Sequence, residues 1–354
     1  MKRISIIAAT LLFCITAANA YNPPVNGDGL FELSSARMLS TASSVTGGGL
    51  FNGNPSSVTV NPALTVDEQR IALNAGFTML FSTDSSNDKS VGTAMQIGGI
   101  VPTKWTVMTF YLNGVFVPFY EMNLNDSVNF KFGMSKQVTE KCSIGLGLNT
   151  GYLWGAGKDW SLSGNVGLLY NQGNLGFIKD VRFGASVLNI GKNYNKTSAI
   201  GMNPTEQVTE YPSLLTIKAG VAGLLVSTPS FDMGFSLDVT TPMFQNVMID
   251  AGLECSINNL VYISVAEKFN LNEFSNGIND FIPSIGVGMK FHFGFKDNEY
   301  FDKKGWAESE LSTTAAYKQM YGTVNAISTE VDLKLGMEDS TPPVITLWLD
   351  EGDE

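Results

Sequence analysis

The chain holds a single histidine, His292. A hydrolytic site needs such a base beside a serine or an acid. The neighbours of His292 on its face of the stretch 284–295 are Lys290 and Gly294, and no serine stands next to it. Asp232, Asp238, Asp250 and Glu254 fall on two successive stretches and could hold a cation. One histidine and no thiol pair make a poor metal set, and pore-wall charges balanced by Lys218 and Lys290 account for these acids. Cys142 and Cys255 stand at the ends of apolar-faced stretches and read as small hydrophobes rather than a disulfide. The run Gly47-Gly48-Gly49 is followed by no Gly-Lys-Ser/Thr, so it is not a phosphate loop. We therefore expect no enzyme, no metal and no cofactor.

The elements that must position these residues show in the segment Ser284 to Phe295, SIGVGMKFHFGF. Ile285, Val287, Met289, Phe291, Phe293 and Phe295 share one face, and Ser284, Gly286, Gly288, Lys290, His292 and Gly294 the other. Such period-two alternation marks a strand with one apolar face. The same pattern recurs over 71–81, 128–135, 142–154, 160–170, 181–190, 215–221, 231–239 and 247–255, and less regularly near 91–101, 105–117 and 260–270. That gives about twelve strands, separated by Asn-, Asp- and Gly-rich turns. A strand of ~12 residues is roughly 40 Å long. Tilted by about 45°, it crosses roughly 28 Å, one hydrocarbon core.

The polar face decides which side meets what. In a soluble sandwich it would be densely charged; here it is mostly Gly, Ser and Asn, with Lys131, Arg182, Lys218, Asp232, Asp238, Asp250, Glu254, Lys290 and His292 among them. The whole chain is 44% apolar and only 16% charged, with 36 glycines. These features fit a membrane barrel whose apolar side chains face lipid and whose small residues line a lumen. Trp105, Trp154, Trp160, Tyr170 and Phe295, near strand ends, suit interfacial girdles. The net charge of -11 excludes a nucleic-acid partner. Met1-Lys2-Arg3, the apolar run 4–17 and Ala18-Asn19-Ala20 form a secretory signal peptide cleaved after Ala20, in preference to a lipoprotein signal using Cys14.

Residues 21–68 do not alternate. They carry Ser34-Ser35-Ala36-Arg37, the glycines 47–49, and Asn61-Pro62-Ala63-Leu64. This order, with the phrases Gly184 to Gly191 and Tyr211-Pro212-Ser213, resembles the FadL superfamily of outer-membrane hydrophobic-compound transporters, and within it the PorV/PorQ branch. The resemblance implies a fourteen-stranded barrel with an N-terminal hatch whose motif is Arg37, Gly47, Gly48, Gly49, Asn61, Pro62 and Ala63. The expected organisation is thus a signal peptide over 1–20, a hatch over 21–68, an all-β transmembrane antiparallel barrel of 12–14 strands over 69–295, and a non-barrel periplasmic tail over 296–354. A helix is expected around Glu308 to Tyr321 in that tail, whose end, Asp350 to Glu354, is acidic. The stretch 284–295 is expected to be the last strand.

Two functions are open on this reading. In the first, an outer-membrane barrel takes up fatty-acid-like hydrophobic small molecules. Its ligand would lie on Leu153, Leu169, Leu188 and Ile190 from the wall and on Leu30, Phe31, Leu50 and Phe51 from the hatch. In the second, a PorV-like accessory for secretion or surface attachment holds a periplasmic or secreted protein partner through 296–354.

Overall fold

The computed structural model describes residues 33–83, 91–116, 126–154, 158–192, 215–242, 247–271, 282–294, 308–320 and 324–336, with a few isolated positions and one two-residue hairpin between them. Fourteen antiparallel strands close into a barrel. They are β1 (Ile71–Ser82), β2 (Val91–Pro102), β3 (Val107–Phe116), β4 (Asp126–Thr139), β5 (Cys142–Trp154), β6 (Asp159–Leu175), β7 (Ile178–Lys192), β8 (Thr216–Thr228), β9 (Phe231–Pro242), β10 (Met248–Ile257), β11 (Val261–Asn270), β12 (Ser284–Gly294), β13 (Glu308–Met320) and β14 (Val324–Leu335). Each strand pairs with its neighbours in sequence, and β1 closes on β14 from Ile71 opposite Leu335 to Ser82 opposite Val324.

The alternation maps onto the wall as a greasy outside and a polar inside. Leu73, Phe77 and Met79 of β1 are exposed, while Ala72, Asn74, Thr78 and Leu80 are buried. On β12, Ile285 and Val287 are each 49% exposed and Phe291 43%, with Ser284 buried opposite them. An exterior of contiguous apolar side chains is tolerable only against lipid. Aromatic residues stand near both rims: Trp105 and Tyr170 at one, Tyr152, Trp154 and Trp160 at the other, with the Tyr152 and Trp154 rings stacked 6.0 Å apart. This is the architecture of an outer-membrane barrel.

The two rims differ. At one, the connections 103–106, 140–141, 176–177, 229–230 and 258–260 are short and 295–307 is long. At the other, 83–90, 117–125, 193–215 and 271–283 are long, and 155–158, 243–247 and 321–323 are short. Outer-membrane barrels keep short turns on the periplasmic side and long loops outside, which orients the molecule. β1 begins and β14 ends at the periplasmic rim.

The expectation for residues 296–354 needs correction. The predicted helix around 308–321 is strand β13, followed by β14, so the barrel runs to Leu335 and 284–295 belongs to the twelfth strand, not the last. These are the two strands that a count of twelve lacks. The outward face of β13 is carried by Leu311, Thr313, Ala315 and Tyr317, too weakly apolar to show alternation. On β14 the charges Glu330, Asp332 and Lys334 imitate a soluble segment, yet Glu330 is buried inside the barrel. Residues 337–354 and the signal peptide lie outside the described residues.

Candidate functional site

Inside the wall sits the segment 33–68. Nearly all of its residues up to Ala63 are buried, against the inward side chains of almost every strand. Helix α1 (Ala36–Ser40) starts at Ser35, whose hydroxyl accepts the Met38 N–H. Two short 3-10 turns follow, over Pro55–Thr59 and Pro62–Asp67. Each begins Asn-Pro: asparagine is a favoured N-cap and proline needs no N–H partner at the first turn. The Asn61 side chain accepts from Ala63 N and donates to Val45 O at 2.8 Å and Leu168 O at 3.1 Å. It thereby ties the turn both to its own segment and to β6.

On β2 to β9 the segment is fitted to the wall through glycine. A β-carbon on Gly133 would stand 2.6 Å from Val58 Cγ2, one on Gly184 2.6 Å from Val45 O, and one on Gly98 2.6 Å from Pro55 Cβ. Gly145 and Gly167 receive the Asn61-Pro62-Ala63 backbone, and Gly49 lies backbone to backbone on Gly234 of β9. Real β-carbons never sit so close, so only glycine serves at these wall positions.

On β10 to β14 long polar side chains do the holding. Glu330 accepts from Ser35 Oγ at 2.7 Å, Arg37 N at 3.1 Å, and Asn54 and Asn74 Nδ2, each at 2.6 Å. Arg37 Nη2 reaches Glu254 at 3.2 Å, and the other Glu254 oxygen accepts from Leu50 N at 3.0 Å. Below, Glu68 is clasped by Arg70 at 2.8 Å and Lys334 at 2.8 Å. Burial pushes the Glu68 carboxyl up, but Lys334 and Arg70 outweigh that and hold it below its ordinary value of 4.5. Glu310 takes Lys290 at 3.3 Å and Arg70 at 3.4 Å. Between this side and the inner segment lies a small polar vestibule lined by Arg37, Glu254, Lys290, Glu310, Asp332 and Lys334 together with hydroxyl side chains.

The expected lumen charges are mostly inward. Lys131, Lys218, Asp238, Asp250 and Glu254 are buried, whereas Asp232 is half-buried. Lys218 lies 3.8 Å from Asp250 and donates to Ser43 O at 3.0 Å, but Lys290 pairs with Glu310 rather than with the acids of β9 and β10. Arg182 lies with its guanidinium 4.0 Å from the Phe51 ring centroid and 3.2 Å from Asp67. His292 sits half-exposed near the periplasmic rim, its Nε2 3.8 Å from Glu310.

The proposed ligand-lining residues do not meet. Leu153 stands at the extracellular end of β5, while Leu169 packs on Ala63 and Leu64 near the periplasmic end. Along β6 the two levels, Asp159 opposite Leu153 and Leu169 itself, are about 33 Å apart at ~3.3 Å per residue. Leu169 is thus a seat for the inner segment. Leu188 is buried, but Ile190 is 49% exposed and faces outward. A bulge at Asn189, whose φ is 61°, reverses the facing there. Phe51 is taken up by Arg182, Leu50 is half-buried with its N–H held by Glu254, and Leu30 and Phe31 lie outside the described residues.

At the extracellular end Leu80 on β1, Ala94 on β2, Val115 on β3, Leu153 on β5 and Val324 on β14 turn apolar side chains inward, each 0% exposed and therefore already covered. Only Leu153 stood out in the sequence; Leu80 and Val115 were legible as members of the sparser face of their strands, and Val324 fell in the supposed tail.

No family model and no curated protein matches the chain. Solved structures do. The chain superposes on the CymD monoaromatic hydrocarbon channel with a TM-score of 0.52 at 11% identity, covering 89% of this chain and 100% of that one. The toluene transporter TbuX of Ralstonia pickettii gives a TM-score of 0.51 at 8% identity, over 84% and 97%. At these identities the likeness is one of fold. It agrees with the FadL-type barrel that the sequence resembles and says nothing of the PorV/PorQ branch.

Proposed function

We propose that this protein is an outer-membrane barrel that moves small hydrophobic molecules, with segment 33–68 as a hatch seated in its lumen. The observation that carries this reading is the pairing of two features in one closed wall. The lumen holds a closely fitted segment, so it is no open aqueous pore, and above that segment the wall turns the apolar side chains Leu80, Ala94, Val115, Leu153 and Val324 inward. These side chains are fully covered, so a cargo must displace their cover to reach them; a one-ring aromatic that then loses ~200 Å2 of contact with water gains about 5 kcal/mol at ~25 cal/mol per Å2. The fold shared with a monoaromatic hydrocarbon channel supports the same class of cargo. The secretion-accessory reading drew on 296–354 as a tail; with 308–335 built into the wall, less of that stretch is left to hold a partner.

The test is uptake of toluene and of a medium-chain fatty acid into cells whose only such barrel is this one. Leu153→Asn together with Val115→Asn should cut uptake at least tenfold while the barrel still assembles. Uptake unchanged by the pair, or none by the parent chain, would reject the reading.

A further inference from the structure

The inward polar side chains of β1 to β4 form a ladder. Asn74 donates to Glu330 and Asp332. Gln96 donates to Asn74 Oδ1 at 2.8 Å and accepts from the Tyr111 hydroxyl at 2.5 Å, and Tyr111 meets the Ser34 hydroxyl of the inner segment at 2.9 Å. Asn129 donates to Ser127 Oγ at 3.3 Å. Between Gln96 and Asn129, opposite both in register, stands Asn113 of β3. It is 1% exposed, and among the described residues neither its Nδ2 nor its Oδ1 has a hydrogen-bond partner. An unpaired buried amide costs free energy, so such a group calls for a reason. Thr109 of the same strand is also unpartnered, but it stands opposite Gly133, where Val58 of the inner segment closes in. Asn113 lies two residues beyond Tyr111 toward the extracellular end, about 7 Å above the Ser34 contact at ~3.3 Å per residue. Directly above it is Val115, which faces Ala94 and, across Ser127, Leu153.

We propose that Asn113 reads a hydroxyl group on the cargo, so that the preferred molecules are neutral one-ring alcohols rather than bare hydrocarbons. This rests on the reading of the barrel as a carrier of small hydrophobic molecules and narrows it. A carboxamide sets a donor beside an acceptor, and a hydroxyl answers both. A carboxylate only accepts and would turn a negative oxygen on Oδ1; an ammonium only donates and would face the Nδ2 hydrogens. Asn113 is covered like the apolar side chains above it, so a cargo that displaces their cover reaches the amide in the same movement. That cover gives Asn113 no hydrogen bond, so a hydroxyl gains bonds there without breaking any that the amide makes to protein, and toluene gains none. A site that bonds a substrate hydroxyl discriminates strongly against the analogue lacking it. The ring then lies against Val115 and Leu153.

The experiment is equilibrium dialysis of isotope-labelled benzyl alcohol and toluene against the full-length barrel in detergent, with barrel-free detergent as the blank that removes partition into micelles. Benzyl alcohol should be held about tenfold or more tightly than toluene. Asn113→Leu puts an apolar group of similar size in place of the amide; it should abolish that preference and leave toluene bound at least as well. Asn113→Ala, smaller and free of any clash, should do the same. Heat-modified migration in SDS confirms folding of each variant. Toluene bound with no preference for the alcohol by the parent chain would overturn the proposal and leave the cargo reading standing. So would a preference that survives in the folded variants, the result expected if a water serves the amide. Binding of neither molecule above the blank would count against the cargo reading itself, and this inference would fall with it.

Discussion

The two halves of the wall hold the same inner segment by opposite means. From β2 to β9 the contact is made chiefly through missing side chains, Gly49 on Gly234 and Asn61 to Ala63 on Gly145 and Gly167, with Lys218 on Ser43 O and Arg182 on Asp67 as its polar ties. From β10 to β14 the contact is made through the longest side chains available, Arg37, Lys290, Glu310, Glu330 and Lys334. Close packing of neutral backbone is indifferent to salt and acid but tolerates no added atom. Ion pairs leave room for water and for a ligand, yet respond to pH and ionic strength. One side is therefore a mould and the other an adjustable clasp.

The largest effects should come from spoiling the mould. Gly234→Val or Gly145→Val places atoms inside the inner segment's backbone, and each should cost about 3 kcal/mol or more. The readout is the temperature at which the barrel loses its compact migration in SDS. A matched Ser312→Val on the clasp side should shift that temperature far less; equal shifts would erase the distinction between the halves. Next comes the clasp's most connected acid. Glu330→Ala leaves the donors of Ser35, Asn54, Asn74 and Arg37 N unmatched in a buried site. It should cost about 3–5 kcal/mol, with Glu330→Gln restoring part of it. The smallest effect is a pH dependence. The folded Glu68 carboxyl titrates below its ordinary 4.5, so its contribution is complete above that value and drains away as pH falls through the folded one. Melting measured from pH 7 downward should therefore decline below about 4.5, and Glu68→Gln should flatten that decline; a variant curve parallel to the parent's would assign the effect to other groups.

The division into halves also sorts what was legible in the sequence. Which face of each strand is greasy could be read directly, because lipid imposes period two on every outward position, as in Ile285, Val287, Met289 and Phe291. Asn61-Pro62 and the glycine run marked the inner segment, whereas the second such start, Asn54-Pro55, passed unread. The number of strands was harder, since β13 turns Thr313 and Ala315 to the lipid and β14 spends its charges inward. The partners of the wall glycines could not be read at all, because a close approach depends on two distant stretches of chain. Ile190 was misplaced for a local reason: the left-handed residue Asn189 reverses the facing between Leu188 and Ile190. The histidine, the one residue that invited catalysis, is half-exposed at the rim, beside an acid that already holds a lysine and an arginine.

The seam where β1 meets β14 also carries the inner segment. Asn74 of β1 donates to both Glu330 and Asp332 of β14, and that same Glu330 caps the first helix of the lumen through Ser35 and the Arg37 N–H. Pairing of the last strand with the first and seating of the N-terminal helix thus share one carboxylate, so losing Glu330 weakens both contacts together.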